Sequence, residues 1–259
     1  MGPRGSPTEA FLDVVVPARN EAGRLEHGLA TLSGKLARLQ VGSRIIVVDN
    51  ASTDTTADIV RQWSGPVPVD LLQCARPGKG AAVRFGLLAT TAPYVGFCDA
   101  DMATDVEILD DVLAMLGSGT QVIVGSRRHP ESDVEIYSRP FRRLGALAFN
   151  RLCREMTGGI IDTQCGFKFF AGPLARAAAA NLRTAGFAFD VELLLNCRRL
   201  GATVVEIPVT WRDMPGSTFS ISRHAGGCLR DLLWIRATAT RRAVTAAPMV
   251  PVADELHAG

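Results

Sequence analysis

Tyr94-Val95-Gly96-Phe97-Cys98-Asp99-Ala100-Asp101 reads as a short apolar run closed by two carboxylates one residue apart. Strands buried on both faces of a parallel sheet have this near-continuous hydrophobic character, so the acidic pair falls just past a strand end. Hard divalent cations take oxygen ligands, and Mg²⁺ is usually held by one or two carboxylates plus substrate phosphates. The pair is therefore a handle for a nucleoside diphosphate. The same residues also read as cap and turn chemistry ahead of Val106, and their surroundings decide between the two.

Upstream, Phe11 to Val16 forms a strand ending at Pro17, and apolar residues at helical spacing run from about Glu21 to Leu39. A strand over Arg44–Val48 follows, then a helix over Asp54–Trp63 with Ser52, Thr53 or Asp54 available as N-cap. Next come a strand over Val69–Gln73 and a helix that Gly78-Lys79-Gly80 opens and Thr90 closes. Downstream of the acidic pair, Asp105–Leu116 reads as a helix and Gln121–Gly125 as a strand. Alternating strands and helices mean βαβ units, hence a mostly parallel α/β sheet covered on both faces. Ligands of such sheets bind beyond the carboxyl ends of the strands. Pro17–Glu21, Asp49–Ser52, Gly78–Gly80 and Asp99–Asp101 all fall at that edge.

The second half is less regular. Helices are expected over Arg139–Met156, Leu174–Leu182, Phe189–Leu200 and Arg223–Arg242, and strands over Gly166–Ala171 and Val204–Trp211. Pro208 puts the last strand at a sheet edge. Met214–Ser222 reads as a flexible loop. The expected organisation is a disordered N-terminus over 1–10, a single domain over 11–242 and a flexible tail over 243–259.

Composition narrows the function classes. The chain has 259 residues, 47% of them hydrophobic and 21% charged, with a net charge of +2. That supports a full globular core and gives no field suited to nucleic acid. Six cysteines without Cys-x-x-Cys spacing read as reduced, buried thiols of a cytoplasmic protein. No apolar run approaches the roughly 18 residues of a membrane-spanning helix.

Val16-Pro17-Ala18-Arg19-Asn20-Glu21, Val47-Val48-Asp49-Asn50-Ala51-Ser52-Thr53-Asp54, Gly78-Lys79-Gly80 and Asp99-Ala100-Asp101, in that order, resemble the nucleotide-sugar half of family 2 glycosyltransferases of GT-A fold. Gly125-Ser126-Arg127, Asp162-Thr163-Gln164-Cys165-Gly166-Phe167-Lys168, Phe189-Asp190-Val191-Glu192-Leu193-Leu194 and Glu206-Ile207-Pro208-Val209-Thr210-Trp211 resemble dolichyl-phosphate β-glucosyltransferases. The resemblance implies a nucleotide-sugar half over 11–130 and an acceptor half over 131–242. Pro17, Ala18, Asn20, Glu21, Asp49, Asn50, Lys79, Asp99, Ala100 and Asp101 would then bind the donor. Asp49 would accept a hydrogen bond from the base, Lys79 would face phosphate, and Asp101, with Asp99 beside it, would hold Mg²⁺ or Mn²⁺. Met102-Ala103-Thr104 after the acidic pair is similar to the glucosyl branch, favouring UDP-glucose over GDP-mannose as donor.

On the acceptor side the resemblance directs Arg127, and near it Arg142 and Arg143, at an acceptor phosphate, with Asp162 and Gln164 shaping the sugar pocket. A phosphate monoester is largely dianionic near neutrality and needs cations rather than a base. A neutral hydroxyl needs a base, for which Asp190 is the first candidate and Glu192 the second. Attack opposite the leaving group gives a β-linked product. Polyprenyl phosphate, a soluble small molecule, and a non-catalytic nucleotide-sugar-binding role all remain open. Members of the resembling family commonly carry an N-terminal anchor, which is not expected here. Peripheral membrane contact could instead run through Leu229, Leu232, Leu233, Trp234 and Ile235, flanked by Arg223, Arg230, Arg236, Arg241 and Arg242; the same helix also reads as packing on the core with its arginines in water.

Overall fold

The computed structural model describes residues 10–39, 41–135, 143–214 and 221–242. Side chains of 143–148, 221–225 and 239–242 are not part of that description. Residues 1–9 of the expected disordered N-terminus over 1–10, the expected tail from 243, Arg142, and residues 215–220 of the expected loop over Met214–Ser222 therefore lie outside the described residues, as do the side chains of Arg143, Arg223, Arg241 and Arg242.

The elements are β1 (Leu12–Ala18), α1 (Leu25–Arg38), β2 (Ser43–Asp49), α2 (Thr56–Arg61), β3 (Val69–Gln73), α3 (Lys79–Ala89) and β4 (Tyr94–Cys98). A 3₁₀ turn (Val106–Ile108), α4 (Leu109–Gly117) and β5 (Val122–Ser126) follow. Then come β6 (Asp133–Glu135), α5 (Arg143–Met156), β7 (Phe167–Ala171), α6 (Gly172–Ala180) and α7 (Phe189–Arg199). β8 (Val204–Pro208), β9 (Thr210–Arg212) and α8 (Ile221–Arg242) complete the order.

Seven strands form one sheet in the order β3-β2-β1-β4-β7-β5-β8. All its pairings are parallel except those of β7, which runs antiparallel to both β4 and β5. Successive residues of a strand face opposite sides, so each strand serves two cores. Val15, Ile46 and Val48 pack with Ala82, Val83 and Leu87 of α3 and Leu193 of α7. Val14, Val16, Ile45 and Val47 pack with Leu25, Leu29 and Leu32 of α1 and Leu109 and Val112 of α4. All six cysteines are buried and none is bonded to another.

Several expected boundaries shift by a few residues, and two of the shifts bear on the sheet. β1 continues through Pro17 to Ala18, because pairing with β4 stops at Val15 while β2 stays alongside to Asp49. Proline is tolerated where one neighbour has already ended. The strand expected over Val204–Trp211 breaks at Val209 into β8, an edge strand as Pro208 implied, and β9, which pairs with β6 in a separate two-stranded sheet.

One buried charge ties the sheet together at its far end. Asp13 is fully buried on β1; it takes two hydrogen bonds from Arg44 of β2, at 2.9 and 2.8 Å, and the amides of Thr91 and Ala92. Burial pushes its pKa up, but Arg44 and the amides outweigh burial and hold it below the usual carboxylate value. Such a charge stabilises the fold above its unfolded pKa of about 3.9. That contribution disappears as pH falls through the lower folded value. Asp13→Asn is therefore expected to lower Tm at pH 6, with the gap to wild type closing between pH 4 and 2 in thermal melts.

Candidate active site

β1, β2 and β4 end side by side, and the loop after each holds a non-glycine residue at positive φ: Asn20 at 55°, Ala51 at 54° and Met102 at 47°. Strained backbone of this kind persists only where its surroundings over-determine it, typically at functional sites. The first two loops are stitched together. Asn20 donates its amide to Ser52 Oγ (3.0 Å) and accepts from the Thr53 amide (2.8 Å), and Asp49 accepts from the Ser52 amide (3.1 Å). Pro17, Asn20, Glu21 and Asp49 thus share one corner of the edge. Three other expected donor residues sit deeper at this edge. Ala18 and Ala100 bury their methyls in the core, leaving only backbone at the edge. The Asn50 side chain donates to the carbonyls of Cys74 and Arg76 and accepts from the Gly78 amide at 2.7 Å. These bonds build the loop before α3.

That loop turns on Gly78, at φ 122°, a conformation that favours glycine; a Cβ there would also run into the Ala185 carbonyl. The turn delivers Lys79 at the start of α3, where it pairs with Asp99. Burial works against the Lys79 charge, yet Asp99 and Asp190 outweigh it and hold its pKa above the usual lysine value. Asp101 pairs with Arg24 at 3.4 Å, and Arg24 also grips Glu21 at 2.5 Å. Arg24 went unread in the sequence, where only its i+3 spacing from Glu21 signals it.

Three carboxylates consequently crowd one spot. Burial first and Asp99 second push the Asp101 pKa up. Burial also raises Glu21, with Asp101 and Asp99 adding to it. A cation would relieve this repulsion. Gly166 leaves the room: a Cβ there would collide with the Asp99 carboxylate. Among the described residues no group of three His, Cys, Asp or Glu side chains forms a metal cage. Two carboxylates completed by substrate phosphates are nonetheless the usual arrangement for Mg²⁺, so the residues fit a divalent ion shared with a diphosphate.

Across the edge stands Arg127, just past β5. Asp162, almost fully buried, takes two side-chain hydrogen bonds from it, at 2.8 and 2.9 Å, and its backbone amide at 3.0 Å. The Trp211 ring lies 5.6 Å beneath the guanidinium. Asp162 is held in turn, since Glu206 of β8 accepts the amides of Ile161 and Asp162 at 2.8 and 2.9 Å. Arg127 outweighs burial and keeps the Asp162 carboxyl below its usual pKa. Asp162 therefore aims Arg127. Gln164 sits in the same turn, its amide bonded to Asp162. Glu206 was quoted in the sequence without a role, and it supplies the outer support.

Asp190 lies 3% exposed at the start of α7, 2.5 Å from the Nζ of Lys168, which is wholly buried on β7 and also donates to the Cys165 carbonyl at 2.6 Å. Burial raises the Asp190 pKa, with Lys168 and Lys79 opposing. Glu192, the second candidate base, accepts the amides of Arg183 and Thr184 at 3.1 and 2.8 Å. It is 2% exposed and fixes the loop before α7.

The sequence profile of the family described as "Glycosyl transferase family 2" matches residues 13–172. A dolichyl-phosphate beta-glucosyltransferase of Trichomonas vaginalis is 35% identical over 231 residues, covering 84% of this chain and 68% of the relative. The Homo sapiens protein of that description is 34% identical over 248 residues, covering 89% and 76%. Among solved structures, glucosyl-3-phosphoglycerate synthase of M. tuberculosis superposes with a TM-score of 0.65 at 21% identity, over 89% of this chain and 80% of that one. A complex of the same synthase with Mn²⁺, UDP-glucose and phosphoglyceric acid gives 0.63 at 19% identity, over 89% and 79%.

Proposed function

The chain belongs to glycosyl transferase family 2, and from that premise we propose that it transfers glucose from UDP-glucose to the phosphate of a polyprenyl lipid, inverting the anomeric carbon. The dolichyl-phosphate beta-glucosyltransferases it is similar to support both donor and acceptor class. In this reading 11–242 is one catalytic unit, with the donor half over 11–130 and the acceptor half over 131–242.

The observation that carries the acceptor class is the contrast between Arg127 and Asp190. Arg127 is a guanidinium held in one orientation by Asp162, Glu206 and Trp211, suited to a phosphate by its fork geometry. Asp190 is committed to a buried lysine. A dianionic phosphate needs the first and not the second, whereas an alcohol acceptor would need a carboxylate able to take a proton.

Pro17, Asn20 and Glu21 would line the nucleotide pocket, and Asp49 would receive the base. Lys79, at a helix start with backbone amides beside it, would face the diphosphate. Bound Mg²⁺ or Mn²⁺, held by Asp101 with Asp99 alongside, supplies charge neutralisation for the departing diphosphate. Arg127 would hold the acceptor oxygen in line with the sugar carbon, with Arg142 and Arg143 as further phosphate contacts. Gln164 is assigned to the sugar pocket.

Purified protein with Mg²⁺ or Mn²⁺, UDP-glucose and a polyprenyl phosphate should release UDP and form an acid-labile glucolipid. Absence of product across several prenyl lengths would overturn the proposal, and faster turnover of GDP-mannose would move the donor. Asp162→Asn is expected to lower kcat/KM for the acceptor by about 100-fold, the effect of misplacing a positioning group by about 1 Å. The KM for UDP-glucose should stay within a factor of a few.

Among the described residues no helix is long and apolar enough to cross a membrane. In the proposed reading the lipid acceptor brings the enzyme to a membrane surface, with the cytoplasmic face as the side proposed.

A further inference from the structure

A cleft of roughly 410 Å³ opens between the β3–α3 loop, the loop before α7 and α8. None of Asp99, Asp101, Arg127 or Asp190 lines it. Arg76, Arg183 and Arg230 do, against one carboxylate, Asp231. Arg76 is fastened to the Arg183 carbonyl at 3.2 Å, and Arg230 touches Asp231 only loosely, at 3.6 Å with the guanidinium 82% exposed. Thr184 also lines the cleft. It is 7% exposed, and its hydroxyl meets no hydrogen-bonding partner among the described residues. A buried polar group is ordinarily paired, so this hydroxyl points to a missing acceptor.

The neighbouring face of α8 carries a second, independent anomaly. Cys228, Leu232 and Ile235 are buried, so this side of α8 packs on the core, and Leu232 and Ile235 offer nothing to a membrane. Leu229, Leu233 and Trp234 remain 52%, 56% and 40% exposed. Large apolar side chains beside clustered arginines are the signature of a helix lying in a lipid interface. Arginine stems reach through such an interface to hold their charge at the headgroups, and tryptophan favours the same depth.

We propose that this cleft takes the headgroup phosphate of an anionic phospholipid, with Leu229, Leu233 and Trp234 entering the surrounding interface. The site deepens the lipid-acceptor reading and rests on it for its purpose, though not for its binding. The loop that forms one wall is the one clamped by Glu192, and its Ala185 carbonyl accepts the Gly80 amide at 2.8 Å. The surface that meets lipid and the turn that carries Lys79 are therefore neighbours in one rigid piece.

The test uses the full chain without nucleotide sugar or acceptor, sedimented with vesicles of phosphatidylcholine alone or mixed with phosphatidylglycerol. Wild type should bind only the anionic vesicles, and more weakly as salt rises. The double variant Arg183→Glu/Arg230→Glu should bind about 10-fold or more weakly, as expected for cations at an anionic surface. Trp234→Ser should reduce binding without changing the salt dependence. Transfer to a water-soluble short-chain prenyl phosphate should be unaffected in all of them, so that loss of vesicle binding and loss of acceptor chemistry are read separately. The proposal is overturned if the charge-reversed variant binds like wild type or if binding requires polyprenyl phosphate in the vesicle. It also fails if inorganic phosphate alone saturates the cleft, read by Trp234 fluorescence, while vesicles are ignored.

Discussion

Asp101→Asn is expected to lower kcat/KM for glucose transfer by about 10³-fold, in line with removing a principal electrostatic contact of a transition state, while leaving Tm unchanged or higher. The two halves of this result have one origin. Burial and the Asp99 charge raise the Asp101 pKa, so the folded protein holds that charge against an adverse field. A carboxyl whose folded pKa lies above its unfolded value opposes folding once pH exceeds the unfolded value. Any gain in Tm should therefore be present at pH 7 and vanish below about pH 4, where the unfolded carboxyl is also protonated. Asparagine keeps an acceptor for the Ala103 amide, now at 3.2 Å, so the local turn survives. UDP release and thermal melts at pH 7 and 4 measure both. Wild-type turnover would remove Asp101 from the proposed site, and a large fall in Tm would make it a structural residue.

Lys168→Ala is expected to destabilise the fold by about 3–5 kcal/mol, the range for removing one partner of a buried ion pair, or roughly 10 °C in Tm for a domain of this size. Asp190 would be left fully buried with Lys79 as its remaining cationic neighbour. The Cys165 carbonyl would also lose its donor. Lys168→Met with Asp190→Leu should recover much of the stability, because replacing both charges with apolar groups of similar volume removes the desolvation burden. Denaturant melts of the two variants provide the check. Equal stability of Lys168→Ala and wild type would contradict the pairing. The double variant also separates roles: if it folds and still transfers to a phosphate acceptor, Asp190 is no base.

Much of the donor half was legible because its signals are local. Apolar runs for β1 to β5, Gly78 before Lys79, and acidic residues at strand ends are all read within a few positions. What stayed hidden depends on contacts far apart in the chain. Lys168 meets Asp190 across 22 residues, Arg127 meets Asp162 across 35, Glu206 reaches Asp162 across 44 and Arg24 meets Asp101 across 77. Periodicity carries no trace of such pairs. The structural part played by Asn50 was hidden for a related reason: only the return of the 74–78 segment shows the hydrogen bonds its side chain makes. The direction of β7 was equally silent, since a short buried strand reads the same either way.

That reversed strand has an architectural consequence. Because β7 runs against β4 and β5, it starts where they finish, and the Asp99 amide bonds the Gly166 carbonyl at 3.1 Å. The chain between Arg127 and Gly166, which contains β6 and α5, thus departs from and returns to the same rim of the sheet. Its two feet are anchored, one by Asp162 on Arg127 and the other by Gly166 on Asp99, while β6 between them pairs with β9 and not with a strand of the main sheet. Such an excursion behaves as a cassette: it can lengthen, shorten or be exchanged without shifting the register of the strands that bear the donor residues. In the proposed reading, where this excursion belongs to the acceptor half, the fold would uncouple the choice of recipient from the handling of the sugar nucleotide, leaving one open to change while the other is held still.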